Sequence, residues 1–450
     1  MKIAEKYLAT ISLASICLLL LIWVLPNTIA LRNILLALGG LCGLALIKEN
    51  WSYFNRLSLR MLPLYLLLSL FIWVLIHYAL FSPNRQLEFS EIKSLWLRVF
   101  ACFSMAIGLA IVLHKNTDLR KYFFFSLFFV PIVNLVAYGY ASYLNGGLVK
   151  PNDFIFFLFA KIETAYFGAL AASIAIANLI YLFVIKDIKS SKTQLALYLS
   201  GLGIVLISAL ASNTKNGIAI SVALTAFLSL VILINSILNR KSSKLFSIAA
   251  LIFVLGVVGL VWQKHLTLAS SGWDSVLQDA KIAINIDGNK QWQDGSYKTL
   301  PLNPSGKEVA INTYERFAYA SVGIRLIERF PLGYGSINRS FVGLQDLAQI
   351  PHSHHQGQVH SGWIDFGLAY GIPGLLLLFS AMLLIIGFAI MNPTLLSLCA
   401  GMICIALIPM GVIAEICYKQ YFEAMIFFIT LASALIILEG KSRAYAIKHD

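Results

Sequence analysis

The chain has 450 residues, of which 59% are hydrophobic and only 12% charged, and its mean hydropathy is +0.80. Soluble domains carry about 25% charged residues, so the composition excludes an ordinary soluble enzyme and a disordered tail and describes a polytopic membrane protein. The net charge of +13 does not require a nucleic-acid partner, because the basic residues follow membrane topology and suit anionic lipid headgroups.

Apolar runs of roughly 20 residues mark candidate spans. In chain order they fall at 7–25, 32–47, 61–80, 95–113, 122–143, 166–185, 194–212, 217–238, 245–262, 372–390, 394–414 and 422–438. The expectation is an all-α protein of about twelve transmembrane helices with one large loop. Residues 1–30 have the basic start of a signal peptide, but their long apolar run and the spans that follow favour an uncleaved first helix. Lys2 and Lys6 precede the first span; Lys48, Arg56 and Arg60 follow the second, and Lys115, Arg120 and Lys121 follow the fourth. Lys186, Lys189 and Lys192 follow the sixth, Arg240, Lys241 and Lys244 the eighth, and Lys441, Arg443 and Lys448 lie in the tail. This bias places both termini in the cytoplasm. The six cysteines (17, 42, 102, 399, 404 and 417) lie in or beside spans without a metal-type spacing and read as packing residues.

Three segments are expected: 1–262 with spans one to nine, 263–362 as a loop outside the cytoplasm, and 363–450 with the last three spans and a short tail. The loop's first part, through Ser305, is rich in Gly, Asp, Asn and Gln and reads as irregular. Residues 287–294 do not make an EF-hand, since Trp292 stands where the sharp turn needs Gly. From Tyr314 to Phe330, Phe317, Ala320, Val322, Ile324 and Ile327 recur at near-helical spacing among Arg316, Arg325, Glu328 and Arg329. That predicts an amphipathic helix on the membrane surface, ended by Pro331. A smaller loop holds the apolar run 154–159, too short to span and expected at the interface.

Histidines 352, 354, 355 and 360 are half of the chain's eight, and they lie where the loop enters an apolar helix through Gly367, Gly371 and Pro373. His360 either caps that helix or acts as a general base at the membrane surface. The His-x-His-His run also has a plausible ligand spacing, but no nearby Cys or carboxylate completes a metal site. Lys215, in the tight link 212–217, either anchors a helix end or binds phosphate. Arg316 either meets solvent and lipid phosphate or forks onto a bound phosphate group. The sequence lacks a phosphate-binding Gly-rich loop and an Asp-x-Asp pair, which argues against a nucleotide donor and for a lipid-carried one.

Three separated pieces carry a resemblance: Thr214-Lys215-Asn216; Arg316 with its helix and then Pro331-Leu332-Gly333-Tyr334-Gly335; and His360-Ser361 leading to Gly371-Ile372-Pro373-Gly374-Leu375. In this order the chain resembles the bacterial O-antigen ligase superfamily, which also holds O-antigen polymerases and protein O-oligosaccharyltransferases. The family's first Arg is Lys215 here, and the second piece is one residue tighter than the family pattern. The resemblance implies a GT-C-like glycosyltransferase architecture in the bacterial inner membrane with the reaction facing the periplasm. It implies transfer of a polysaccharide from undecaprenyl diphosphate to lipid A–core oligosaccharide, inverting and metal-independent, with no cofactor and no nucleic acid. His360 would be the base, and Arg316 and Lys215 would stabilise the leaving diphosphate. Arg339, Arg325, His355 and Ser361 would bind substrate.

A polymerase of the same superfamily uses the same donor chemistry, so the sequence barely separates the two. A protein O-oligosaccharyltransferase is expected to be longer at its C-terminal end. A transporter of lipid-linked glycans would place ionisable residues along a central path. Arg98, Glu415 and Lys419 are the few found in or near spans.

Overall fold

A run of about 20 apolar residues can satisfy its own backbone polar groups away from water only as a helix or in a closed barrel. The computed structural model describes residues 3–23, 25–55, 58–151, 161–185, 192–238, 244–268, 275–293, 299–353, 357–415 and 419–446, and its regular elements are helices. The first half contains α1 (Ile3–Ile22), α2 (Ile29–Glu49), α3 (Leu62–Leu80), α4 (Arg85–Glu91), α5 (Leu97–Lys115), α6 (Thr117–Ser126), α7 (Phe129–Leu144) and α8 (Lys161–Ile180). The second contains α9 (Lys192–Ser212), α10 (Lys215–Leu238), α11 (Lys244–Leu268), α12 (Val276–Ile284), α13 (Ile311–Arg329), α14 (Ser340–Ala348), α15 (Gly362–Met391), α16 (Leu395–Ile413) and α17 (Lys419–Ala446).

Among the described residues ten helices are long and apolar enough to cross a membrane, or eleven if the bent pair α6 and α7 counts as one span. The chain is therefore a multi-pass membrane protein. The ninth run coincides with α11. The fifth is broken rather than continuous: α6 and α7 meet at 40°. Pro131 lies in the first turn of α7, and its ring would clash with the carbonyl of residue 127 in an unbroken helix.

The bundle is built around α5 and α17. The apolar window of α17 is wholly buried, and α2 lies against α5 so closely that a Cβ on Gly43 would meet the Ser104 carbonyl oxygen at 2.2 Å. Small residues permit such backbone approach where lipid supplies no hydrophobic drive. At one end of the bundle Lys115 pairs with Glu5 at 2.6 Å and His114 with Glu439 at 3.1 Å. These contacts gather the start of α1 with the ends of α5 and α17. At the opposite end α2, α5 and α17 begin, α16 finishes, and the large loop is seated.

The loop has its own small core. Tyr314, Ala318, Val322 and Leu326, spaced every four residues on α13, are buried with Trp292, Phe341, Leu344, Val359 and Leu368. This is a different face from the one the sequence pattern selects. Phe317 and Ile324 point outward, while Val322 is the shared member. The core is lined instead by the i, i+4 row that begins at Tyr314 and meets α12 and α14. The stretch through Ser305 is not wholly irregular, because α12 forms within it. The apolar run 154–159 lies outside the described residues.

Candidate functional site

His360 is the last residue before the α15 N-cap, and its backbone is left-handed, with φ +62°. A histidine with positive φ is uncommon and is held only where its surroundings over-determine it. Two contacts do so. The Val359 N–H donates to Oδ1 of buried Asp365 in the first turn of α15 at 2.9 Å. The His360 imidazole turns to Glu415, with Nδ1 hydrogen-bonded to Oε1. The other Glu415 oxygen accepts from Gln358 Nε2 at 2.5 Å, and the Tyr319 ring lies parallel to the imidazole with centroids 6.4 Å apart. Glu415 is buried at 7% side-chain exposure, whereas His360 keeps 27%. A buried carboxylate fixing one ring nitrogen leaves the other, Nε2, to face whatever enters from the open side.

Arg316 reaches the same wall. Its Nη1 donates to the Ile413 carbonyl at 3.4 Å, two residues before Glu415. It makes no ion pair among the described residues, so most of its five N–H donors remain to meet an anion. Lys215 is exposed at the start of α10, two residues after the left-handed Asn213. A Cβ on Gly217 would sit 2.8 Å from Ala165 at the start of α8, and the neighbouring Tyr166 lies 5.7 Å from Tyr421 near the start of α17. Lys215 thus stands at the same end of the bundle as Glu415. No hydrogen bond or ion pair joins it to His360 or Arg316 among the described residues.

The other sequence candidates separate. Arg325 is held by Asp287 through two bonds of 2.9 and 2.8 Å on the exposed side of α13. Its guanidinium holds the Asp287 carboxyl below the usual aspartate range. Arg339 is exposed as the N-cap of α14. Ser361 is buried, with its hydroxyl toward the Gly411 carbonyl at 3.4 Å. His352 is tucked against the end of α14, Nδ1 toward the Ile350 carbonyl at 2.9 Å and Nε2 3.5 Å from Asp346. His354 and His355 lie outside the described residues.

A second cluster clips the loop to the bundle. Pro331–Gly335 lies along the kink of α15, where Gly371 has φ 66° and ψ −169°. Tyr334 N–H donates to Leu368, Gly335 N–H to Ala369, and Ile372 N–H returns to Pro331, at 2.6–2.8 Å. Buried Glu91, at the end of α4, receives Ser336 Oγ at 2.6 Å, the Ile337 N–H at 2.8 Å and the Tyr370 hydroxyl at 3.2 Å. Beside it His77 Nδ1 and Glu88 Oε1 are 2.9 Å apart with both side chains fully buried. Gly333 and Gly335 have φ near +90°, and a Cβ on Gly335 would collide with Glu88. The Pro-Leu-Gly-Tyr-Gly motif is thus a docking turn.

Sequence reasoning missed Glu415 as the partner of His360, along with Gln358, Tyr319 and Asp365. The available signal was an ionisable residue at the end of an apolar run, which marks a functional site by default. No curated protein matches the chain. Residues 200–379 match the family described as O-antigen ligase, a stretch that contains Lys215, Arg316, His360 and the Gly371 kink but not Glu415. That match supports membership of the O-antigen ligase-like superfamily.

Proposed function

We propose that the protein is an O-antigen ligase of the bacterial inner membrane. In this reading it transfers a glycan from undecaprenyl diphosphate to lipid A–core oligosaccharide on the periplasmic side. The observation that carries the reading is the His360–Glu415 pair beside Arg316, at the end of the bundle that seats the loop. Glu415 accepts the Nδ1 hydrogen, so the Nε2 lone pair faces the acceptor hydroxyl. His360 takes the hydroxyl proton as the oxygen attacks the anomeric carbon. The bond from that carbon to the diphosphate oxygen breaks on the opposite face, its electron pair stays with the phosphate, and the sugar inverts. Arg316 and Lys215 then meet the charge that grows on the leaving diphosphate, a preorganised electrostatic effect.

The test is transfer in proteoliposomes supplied with lipid diphosphate-linked glycan and lipid A–core. Asn tolerates the left-handed backbone but supplies no base, so His360→Asn should lower turnover by about 10²–10⁴-fold while the melting temperature holds. Near-normal turnover in that variant would remove His360 from the chemistry. Elongation of one lipid-linked glycan by another, with no product on lipid A–core, would replace the ligase reading with a polymerase.

A further inference from the structure

A groove of about 770 Å³ opens at the end of the bundle where α2, α5 and α17 begin. Four cations line it, Arg32, Lys93, Arg98 and Lys419, against the single carboxylate of Glu423. Three features make it more than a solvated basic face. Arg98 Nη2 pairs with Glu423 Oε1 at 2.9 Å, while its Nε is buried with no hydrogen-bond partner among the described residues. Lys93 and Ser94 stand on a π-helical turn at Ile92–Trp96, and Lys419 Nζ is anchored to Ser94 Oγ at 2.8 Å. Such turns often occur at functional sites. The first turns of α2 and α17 both border the groove. Thr28 does not cap α2, because its hydroxyl donates to the Ile22 and Leu25 carbonyls instead. Helix N-termini add positive potential to that of the side chains.

The groove's lower wall is apolar. It continues from Arg32 to Ala37 along α2 and from Arg98 to Ala101 along α5. Leu97 at its edge is 68% exposed and the nearby α2 residues Ile29 and Ile34 are similarly open. A free anion would need the cations but not this wall. A lipid with a phosphate headgroup needs both, in this order along the membrane normal. Four cations facing one carboxylate also repel one another until an anion enters.

We infer that this groove binds the anionic phosphate headgroup of a membrane lipid, with the acyl chains against the exposed faces of α2 and α5. The site is independent of the reading of His360, since none of the groove's ion pairs or hydrogen bonds reaches that residue among the described residues. Its place on the same end of the bundle, with Lys419 four residues beyond Glu415, puts a second phosphate seat beside the candidate site.

Native mass spectrometry of the full-length protein in micelles tests it, with phosphatidylglycerol as probe, phosphatidylcholine as the zwitterionic control and inorganic phosphate as competitor. Wild type should retain phosphatidylglycerol in preference to phosphatidylcholine. Arg98→Gln would leave Glu423 buried and unpaired and could unfold the protein. The exposed pair Lys93→Gln/Lys419→Gln avoids this, and should weaken phosphatidylglycerol retention by roughly fivefold per cation removed with an unchanged melting temperature. Equal retention of the two lipids by wild type, or equal retention of phosphatidylglycerol by wild type and the double variant, would overturn the proposal. Full displacement of the lipid by inorganic phosphate would also overturn it, since the groove would then recognise the free anion.

Discussion

Two junctions tie the large loop to the helix bundle, and they are built in opposite ways. At Glu91 the carboxylate is buried and saturated by Ser336, Ile337 and Tyr370, with three backbone bonds holding the adjoining turn to the α15 kink. At Glu415 the carboxylate is also buried, but one of its two partners is a part-exposed histidine on a left-handed backbone, and Arg316 nearby makes no ion pair among the described residues. The polar side chains of the first junction, Glu91, His77 and Glu88, are all buried away from a ligand, whereas the second keeps a part-exposed imidazole and most of a guanidinium. A closed junction and an open one thus stand at two ends of one short segment, since the Gly371 kink and His360 are eleven residues apart on the same helix entrance.

Substitutions can break this division in order of expected effect. The largest effect should come from His360→Asn, described above, which leaves stability untouched. Arg316→Ala should cost about 10²–10³-fold in turnover, measured as kcat in the transfer assay. Arg316→Lys should recover only part of it, because a point charge replaces the fork. On the other junction, Gly371→Ala should lower the melting temperature in detergent, since its backbone conformation is essentially restricted to glycine and a Cβ would meet the Pro331 carbonyl at 2.2 Å. The strain is on the order of 1–3 kcal/mol or more. Any loss of transfer in that variant should follow the folded fraction. The smallest effect is expected at the exposed pair of Arg325 and Asp287. Because the Asp287 pKa is lowered by Arg325, the pair contributes only above the ordinary aspartate range and its contribution fades as pH falls through the folded value. Asp287→Asn should therefore leave the melting temperature essentially unchanged at neutral pH, and acidification should narrow even a slight difference.

The same contrast shows what a sequence reveals. Hydropathy locates the membrane-spanning helices, because in a membrane each span must satisfy its own backbone. Glycines 333, 335 and 371 are visible as punctuation, and their positive φ values explain them. His360 and Arg316 stand out because polar chemistry is rare beside apolar runs. Glu415 does not announce its partner, since it is 55 residues from His360 and only the folding of α16 back along α15 joins them. Ser336 and Glu91 are 245 residues apart, so the docking role of the Pro-Leu-Gly-Tyr-Gly turn is equally invisible. The buried face of α13 departs from the aliphatic period for a related reason. Its core row is set by Tyr314 and Ala318 meeting the loop's own helices, and aliphatic periodicity points to Phe317 and Ile324 instead.

A double-mutant cycle in the transfer assay measures directly whether Glu415 acts through His360. In the wild-type background Glu415→Gln should lower kcat by roughly 10²–10⁴-fold, since an amide no longer fixes the productive tautomer. In the His360→Asn background the same substitution should cost nothing further. An equal additional loss in both backgrounds would show that Glu415 and His360 act separately, and would contradict the account.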